Sequence, residues 1–237
     1  LMMHVFCLAS GSGGNSYAVD DGETVLLLEA GIPAKKIASG YLRLLPRVAG
    51  CLITHEHQDH AKGAAELSGR GIDLYMTAGT QTALGEFKCP YRIHNVRAQE
   101  QFSVGTWNVM PFDTEHDAAE PVGFLLVSNV THEKLLFATD TYYIKYRFSG
   151  VSIFMVECNY SLAILKENIA KGNIPENQKN RLLHSHFSLE HVIKFFRLAD
   201  LSAARKIDLL HASDRNSDAK LFKQEVQRAT GVPTEVL

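Results

Sequence analysis

The chain has 237 residues, 46% of them apolar and 21% charged, with a formal net charge of −2 at pH 7. That length supports a sizeable core, and the near-neutral charge excludes a protein that binds polyanions through a global basic field. The four cysteines, Cys7, Cys51, Cys89 and Cys158, lack zinc-finger spacing, and no apolar stretch is long enough to span a membrane. Cys7, Cys51 and Cys158 fall in apolar runs and are expected to be small buried residues. The chain reads as reduced and cytoplasmic, a single domain over residues 1–237 with no membrane association and no obligatory protein partner.

In chain order, His4–Ser10, Ser16–Asp20 and Thr24–Glu29 are strand-like runs separated by glycine turns at Gly11, Gly13-Gly14 and Gly22. Residues 32–45 read as a helix and loop closed by Pro46. Val48–Ile53 is an apolar strand, followed by a helical stretch from about Ala61 to Ser68 and a strand near Asp73–Met76. Phe102–Pro111 and Val122–Ser128 are strands facing across a polar loop. Leu135–Thr139, Ile153–Glu157 and Ile207–Leu210 are further strands. Leu162–Ala170, Leu189–Leu198 and Ala219–Thr230 have helical spacing. Strand-rich parts alternating with helices suit an α+β fold, an αββα sandwich of two sheets with helices on the outer faces.

The chemistry concentrates in Thr54-His55-Glu56-His57-Gln58-Asp59-His60, three histidines and one aspartate within six residues at a strand-to-helix turn. His55 and His57 can point the same way from extended backbone, and Asp59 and His60 then turn toward a neighbouring position. Three further candidates each follow a strand: His116 in a polar loop, Asp140 after Leu135–Thr139, and His211 after Ile207–Leu210. Together they make two ligand sets: His55, His57 and His116 for one ion, and Asp59, His60 and His211 for the other, with Asp140 as a bridge. Nitrogen and carboxylate donors without thiolate suit a catalytic site holding Zn2+, with Mn2+ or Fe2+ also admitted. Two such ions lower the pKa of a bridging water to about 7 and clamp a phosphoryl group. Were the substrate a phosphodiester, hydroxide would then be available to attack phosphorus, with Asp59 orienting it.

His-x-His-x-Asp-His after a strand resembles the metallo-β-lactamase superfamily, and the resemblance extends over nearly the whole chain. Leu26–Gly31 is similar to the early strand-and-turn motif, with Glu29 where aspartate is usual. Ala138-Thr139-Asp140-Thr141 is similar to the bridging-aspartate motif, with Tyr142 where glycine often follows. Within the superfamily, four segments resemble the YycJ/WalJ group of DNA nucleases: Ala9–Ser16, Val156–Tyr160, Arg181–Ser188 and Leu210–Asn216. The resemblance implies exonuclease or phosphodiesterase action on DNA. His186 becomes the candidate that assists the leaving group, standing just before Ser188, which reads as a helix N-cap. Ser12, Asn15 and Ser16 are candidate phosphate donors. Glu157 and Asn159 are candidates for holding the ligands, and Ser188, Ser213 and Asn216 for substrate or supporting contacts. His184 and His191 read as surface or packing residues. Arg215 reads as a phosphate contact or a solvated charge. Trp107 and Tyr142-Tyr143 read as either base-stacking or core aromatics. Lys166, Lys171, Lys179, Arg181, Lys194 and Arg197 read as either a basic patch or solvated helix faces. The alternative activities are a small-molecule (cyclic) phosphodiesterase, or hydrolysis of lactam, lactone or thioester bonds.

Overall fold

The structure is a computed structural model describing residues 2–173 and 182–237, so Lys179 and Arg181 lie outside the described residues. The chain divides into two compact units, residues 1–113 with 118–133, and residues 114–117 with 134–237.

The first unit holds a six-stranded sheet in the order β1 (His4–Ala9), β2 (Ser16–Asp20), β3 (Val25–Leu28), β4 (Val48–Leu52), β5 (Leu74–Thr77) and β6 (Ile93–Val96). β1 to β3 pair antiparallel through short turns. β3 to β6 pair parallel, because helical crossovers join them. Val25, Leu26, Leu27 and Leu28 all have zero exposure, so β3 reads as a continuous apolar run rather than an alternating one. Helices α1 (Ala34–Gly40), α2 (Gln58–Ala61), α3 (Ala64–Gly69) and α4 (Ala78–Leu84) accompany this sheet. Ile37 and Leu67 from these helices join Leu27, Cys51, Ile53, Leu74 and Met76 in one apolar cluster. β7 (Phe102–Val104), β8 (Trp107–Asp113) and β9 (Val122–Ser128) form an antiparallel meander in the same unit.

The single helix expected after the histidine motif is two short helices broken at Gly63. The Gly63 N–H donates to the Ala30 carbonyl at 2.7 Å, and a Cβ there would stand 2.4 Å from the Ile32 carbonyl oxygen. The run expected over 102–111 is likewise split, at Gly105, which takes φ +56°. Trp107 is fully buried and cannot stack on a ligand. Cys7 is exposed on β1, which lies at the edge of its sheet. An apolar run on an edge strand does not entail burial. Cys51 and Cys158 are buried as expected.

The second unit is built on four parallel strands, β10 (Lys134–Ala138), β11 (Ile153–Glu157), β12 (Lys206–Leu210) and β13 (Thr234–Val236). Its helices include α5 (Leu162–Ala170), α6 (Leu189–Leu198) and α7 (Ala219–Thr230). Each begins at a side-chain cap: Ser161, Ser188 and Asp218 accept backbone N–H groups of the first turn. Phe154 of β11 meets Phe196 of α6 with ring centroids 5.4 Å apart. Ala138, Val156 and Leu209 lie in register across three parallel strands, which brings the segments after them to one carboxyl edge. Ligand sites in open parallel sheets form at that edge. Among the described residues, no helix is long and apolar enough to cross a membrane.

Candidate metal centre

In the first unit the histidine loop leaves β4 and is gripped from behind by backbone. Asn15 N–H donates to the Asp59 carbonyl at 2.7 Å, and Ala30 N–H to the His60 carbonyl at 2.8 Å. Gly31 makes the closeness possible: a Cβ there would lie 1.6 Å from the Asp59 carbonyl oxygen. The fully buried Asn15 side chain accepts from Gly11 N–H at 2.9 Å and donates to the Asp59 carbonyl at 3.1 Å. Asn15 is thus committed to holding the loop. Ser16 is also fully buried, so of the three candidate phosphate donors Ser12 alone is exposed.

His55 Nε2 and His57 Nδ1 stand 3.1 Å apart. Two nitrogens each about 2.0–2.1 Å from one ion are separated by roughly 3 Å, so this spacing fits a shared cation. His55 Nδ1 is engaged by the Thr54 hydroxyl at 2.9 Å, which fixes the ring's orientation. His60 has no exposed side-chain surface and lies 3.4 Å from the Asp59 carboxylate. Behind it, the buried Glu29 carboxylate approaches His60 Nδ1 to 3.7 Å. Burial pushes the Glu29 carboxyl up, and the neighbouring His60 opposes that shift. Glu29, which stands where the family usually has aspartate, therefore reaches the back of the His60 ring.

In the second unit, Asp140, Glu157, His186 and His211 each offer a donor atom, all within 4.8 Å of one another. They follow β10, end β11, precede α6 and follow β12. His211 Nδ1 lies 3.0 Å from Asp140 and 3.2 Å from Glu157. His186 Nδ1 meets Glu157 Oε1 at 2.6 Å. The other Glu157 oxygen accepts the backbone N–H groups of Thr141 at 3.0 Å and Phe187 at 3.1 Å. Glu157 thus ties three segments together from a fully buried position. Burial raises its pKa, but the charge of His186 together with the hydrogen bonds from His186 and His211 outweighs this and leaves it lowered. Burial likewise pulls His186 down, and contact with Glu157 more than reverses it, so the imidazole pKa is raised. His116 Nε2 lies 3.5 Å from Asp140. Its Nδ1 is bonded to the Ser185 carbonyl at 2.9 Å, an anchor that no sequence pattern marks. Burial lowers the His116 pKa, with Asp140 opposing, which favours the neutral ring that ligates metal.

Around this cluster, Asn159 Nδ2 donates to the His211 carbonyl at 2.8 Å. The Ser188 hydroxyl accepts His191 N–H at 3.2 Å and caps α6, as its sequence position implies. Ser213 accepts the Asn216 N–H at 3.3 Å, and the buried Asn216 accepts from Asn168 at 3.0 Å. These residues brace the loop after His211. His184 and His191 are exposed. A feature not anticipated is that Glu29, Asp140 and His211 all adopt left-handed backbone, at φ 66°, 46° and 53°. Each follows a parallel strand closely. Such conformations cost on the order of 1–3 kcal/mol and cluster at functional sites.

A β-lactamase superfamily domain model matches residues 30–211. The chain belongs to the metallo-β-lactamase superfamily. It is 29% identical to the exodeoxyribonuclease YycJ of Bacillus anthracis, over 95% of this chain and 88% of that protein. It is 28% identical to the exodeoxyribonuclease WalJ of Streptococcus pneumoniae, over 90% of this chain and 83% of the other. Among solved structures, the metallo-β-lactamase fold protein YhfI of Bacillus subtilis aligns over 100% of this chain and 97% of its own, with a TM-score of 0.74 at 12% identity. The α+β sandwich fold expected from the sequence is therefore the observed one. This superfamily member is a hydrolase whose fold implies divalent metal ions.

Proposed function

We propose that this protein is a dinuclear-metal phosphodiesterase, an exonuclease acting on DNA. The observation that carries this reading is its 29% identity over 95% of its length to a protein named as an exodeoxyribonuclease. This chain's own histidines and carboxylates also gather in clusters with metal-binding chemistry. His55, His57 and His116 would hold one ion, Asp59, His60 and His211 the other, and Asp140 both. Zinc suits the nitrogen-rich donors best, with manganese or iron(II) compatible with the carboxylates. Bound ions would supply a hydroxide at neutral pH and neutralise charge on the attacked phosphoryl group.

The remaining work falls to the protein. Glu157 holds His186 by Nδ1 and leaves the other ring nitrogen to serve the departing oxygen. Glu157 and Asn159 hold the His211 loop in place. Asp59, with a side chain 26% exposed, is accessible enough to orient the attacking water.

The test is release of nucleotides from end-labelled linear DNA, with zinc, manganese or iron(II) added singly. Nucleotide release that depends on added metal is expected. Turnover of a cyclic nucleotide or a β-lactam, with DNA left intact under every metal, would overturn the nuclease reading in favour of those alternatives. His186→Ala should lower kcat by about a hundredfold while leaving bound metal near two ions per chain. Loss of metal in that variant would instead make His186 a ligand.

A further inference from the structure

The second unit contains a cleft of about 260 Å³ between the segment after Asp140 and helix α6. Its walls are aromatic. Tyr143 and Tyr146 line one side, Phe187 and Phe195 the other, and Phe154 is among the lining residues. Tyr143 is 55% exposed, too open for a ring whose only task is core packing. The cations Lys145 and Lys194 also line the cleft, and among the described residues no carboxylate does. Residues 141–148 read Thr-Tyr-Tyr-Ile-Lys-Tyr-Arg-Phe, with no acid among them. Arg147 donates to the Leu198 carbonyl at 2.5 Å, pinning this segment to the end of α6 and keeping the walls apart at a set distance. Lys145 Nζ lies 5.2 Å from the centre of the Tyr146 ring, so the positive charge is held over an aromatic face.

Two covalent links join the cleft's walls to the Asp140–Glu157–His186–His211 cluster. Tyr142 follows Asp140 by two residues, and Phe187 directly follows His186. The Phe187 N–H also donates to Glu157 at 3.1 Å. A flat π-faced group carried on a phosphate backbone matches both features, aromatic walls for the ring and lysines for the phosphates. A base still stacked and paired in a duplex cannot enter between such walls.

We propose that this cleft receives an unstacked base from a single-stranded DNA end, next to the phosphate held for cleavage. This assignment rests on the nuclease reading above. It makes Tyr143 a base-stacking residue and Lys194 a phosphate contact, and it gives the enzyme a preference for frayed or single-stranded ends.

The test compares a thymidine oligonucleotide with the same oligonucleotide carrying an abasic residue at its cleaved end. The complete chain is used, with the metal that supports turnover. The wild-type protein should favour the intact oligonucleotide by roughly tenfold in kcat/KM, chiefly through KM. Tyr143→Ala should erase that preference and Tyr143→Phe should keep it. Lys194→Ala should raise KM for both oligonucleotides alike and flatten its dependence on salt. Equal use of the two oligonucleotides by the wild-type protein would overturn the cleft assignment and leave the nuclease reading standing. So would a preference that survives in Tyr143→Ala. Absence of nucleotide release from either oligonucleotide would overturn the nuclease reading, and the cleft assignment with it.

Discussion

The two units organise their candidate metal ligands by different means. In the first, the candidates sit in one continuous loop, His55 to His60, and backbone holds that loop: the Asp59 and His60 carbonyls accept N–H groups from Asn15 and Ala30. In the second, Asp140 and His211 are seventy-one positions apart, and a buried carboxylate, Glu157, joins the segments that carry them and His186. Short-range spacing orders the first cluster, and parallel strand register orders the second. A backbone-held loop should therefore fail mainly through stability. A carboxylate-held cluster should fail mainly through function, because its residues already stand on rigid strand ends.

The largest break in this comparison is expected from Asp140→Ala. Removing a ligand proposed to serve both ions forfeits several kcal/mol of electrostatic stabilisation, or about a thousandfold in kcat/KM. The measurement is nucleotide release alongside metal content by elemental analysis. Retained metal with near-normal turnover would remove Asp140 from the centre.

Glu157→Gln comes next. It keeps the shape but weakens the charge-assisted contacts to His186 and His211, and metal affinity or turnover should fall by about 10–100-fold. A metal titration checks it. The folded chain should survive, since the substituted side chain still offers an oxygen to the Thr141 and Phe187 N–H groups.

Asn15→Ala tests the other unit. It leaves buried donors and acceptors around Gly11 and Asp59 unsatisfied, so stability to urea should fall by about 1–3 kcal/mol. If Asn15→Ala instead leaves stability intact and abolishes metal binding, the contrast between the two units fails.

The smallest effect is expected at Arg47–Asp20, a pair of contacts at 2.7 and 2.6 Å between the residue before β4 and the end of β2, neither of them in the histidine loop. The Arg47 guanidinium holds the Asp20 carboxyl below its ordinary value, against the opposing effect of burial. A depressed folded pKa contributes stability that is present above the unfolded value, about 3.9, and is lost as pH falls through the folded one. Asp20→Asn should thus cost about 1 kcal/mol at pH 7, with the difference vanishing at the acid end of a urea-denaturation series.

Much of this was legible in the sequence for local reasons. β2, β9, β11, α5, α6 and α7 were readable to the residue, because an apolar run or a helical stripe ended at a glycine, a cap or a charge. α4, β6 and β13 were not, being short and partly exposed. The histidine loop announced metal chemistry through spacing alone. Asn15 shows the limit: a polar residue in a glycine-rich turn reads equally as a phosphate donor or a clasp, and only burial decides for the clasp. Tyr142-Tyr143 was ambiguous in the same way, and only the structure places both rings, exposed, on a cleft wall.

The sequence by itself determined the donor chemistry and its superfamily, because ligand type and short-range spacing are written residue by residue. Only the tertiary structure decided that Glu157 links His186 to His211, that Ser185 anchors His116 by a carbonyl, and that three residues near the strand ends take left-handed backbone. Those facts depend on strand register and chain reversal, which bring together groups that no local spacing connects.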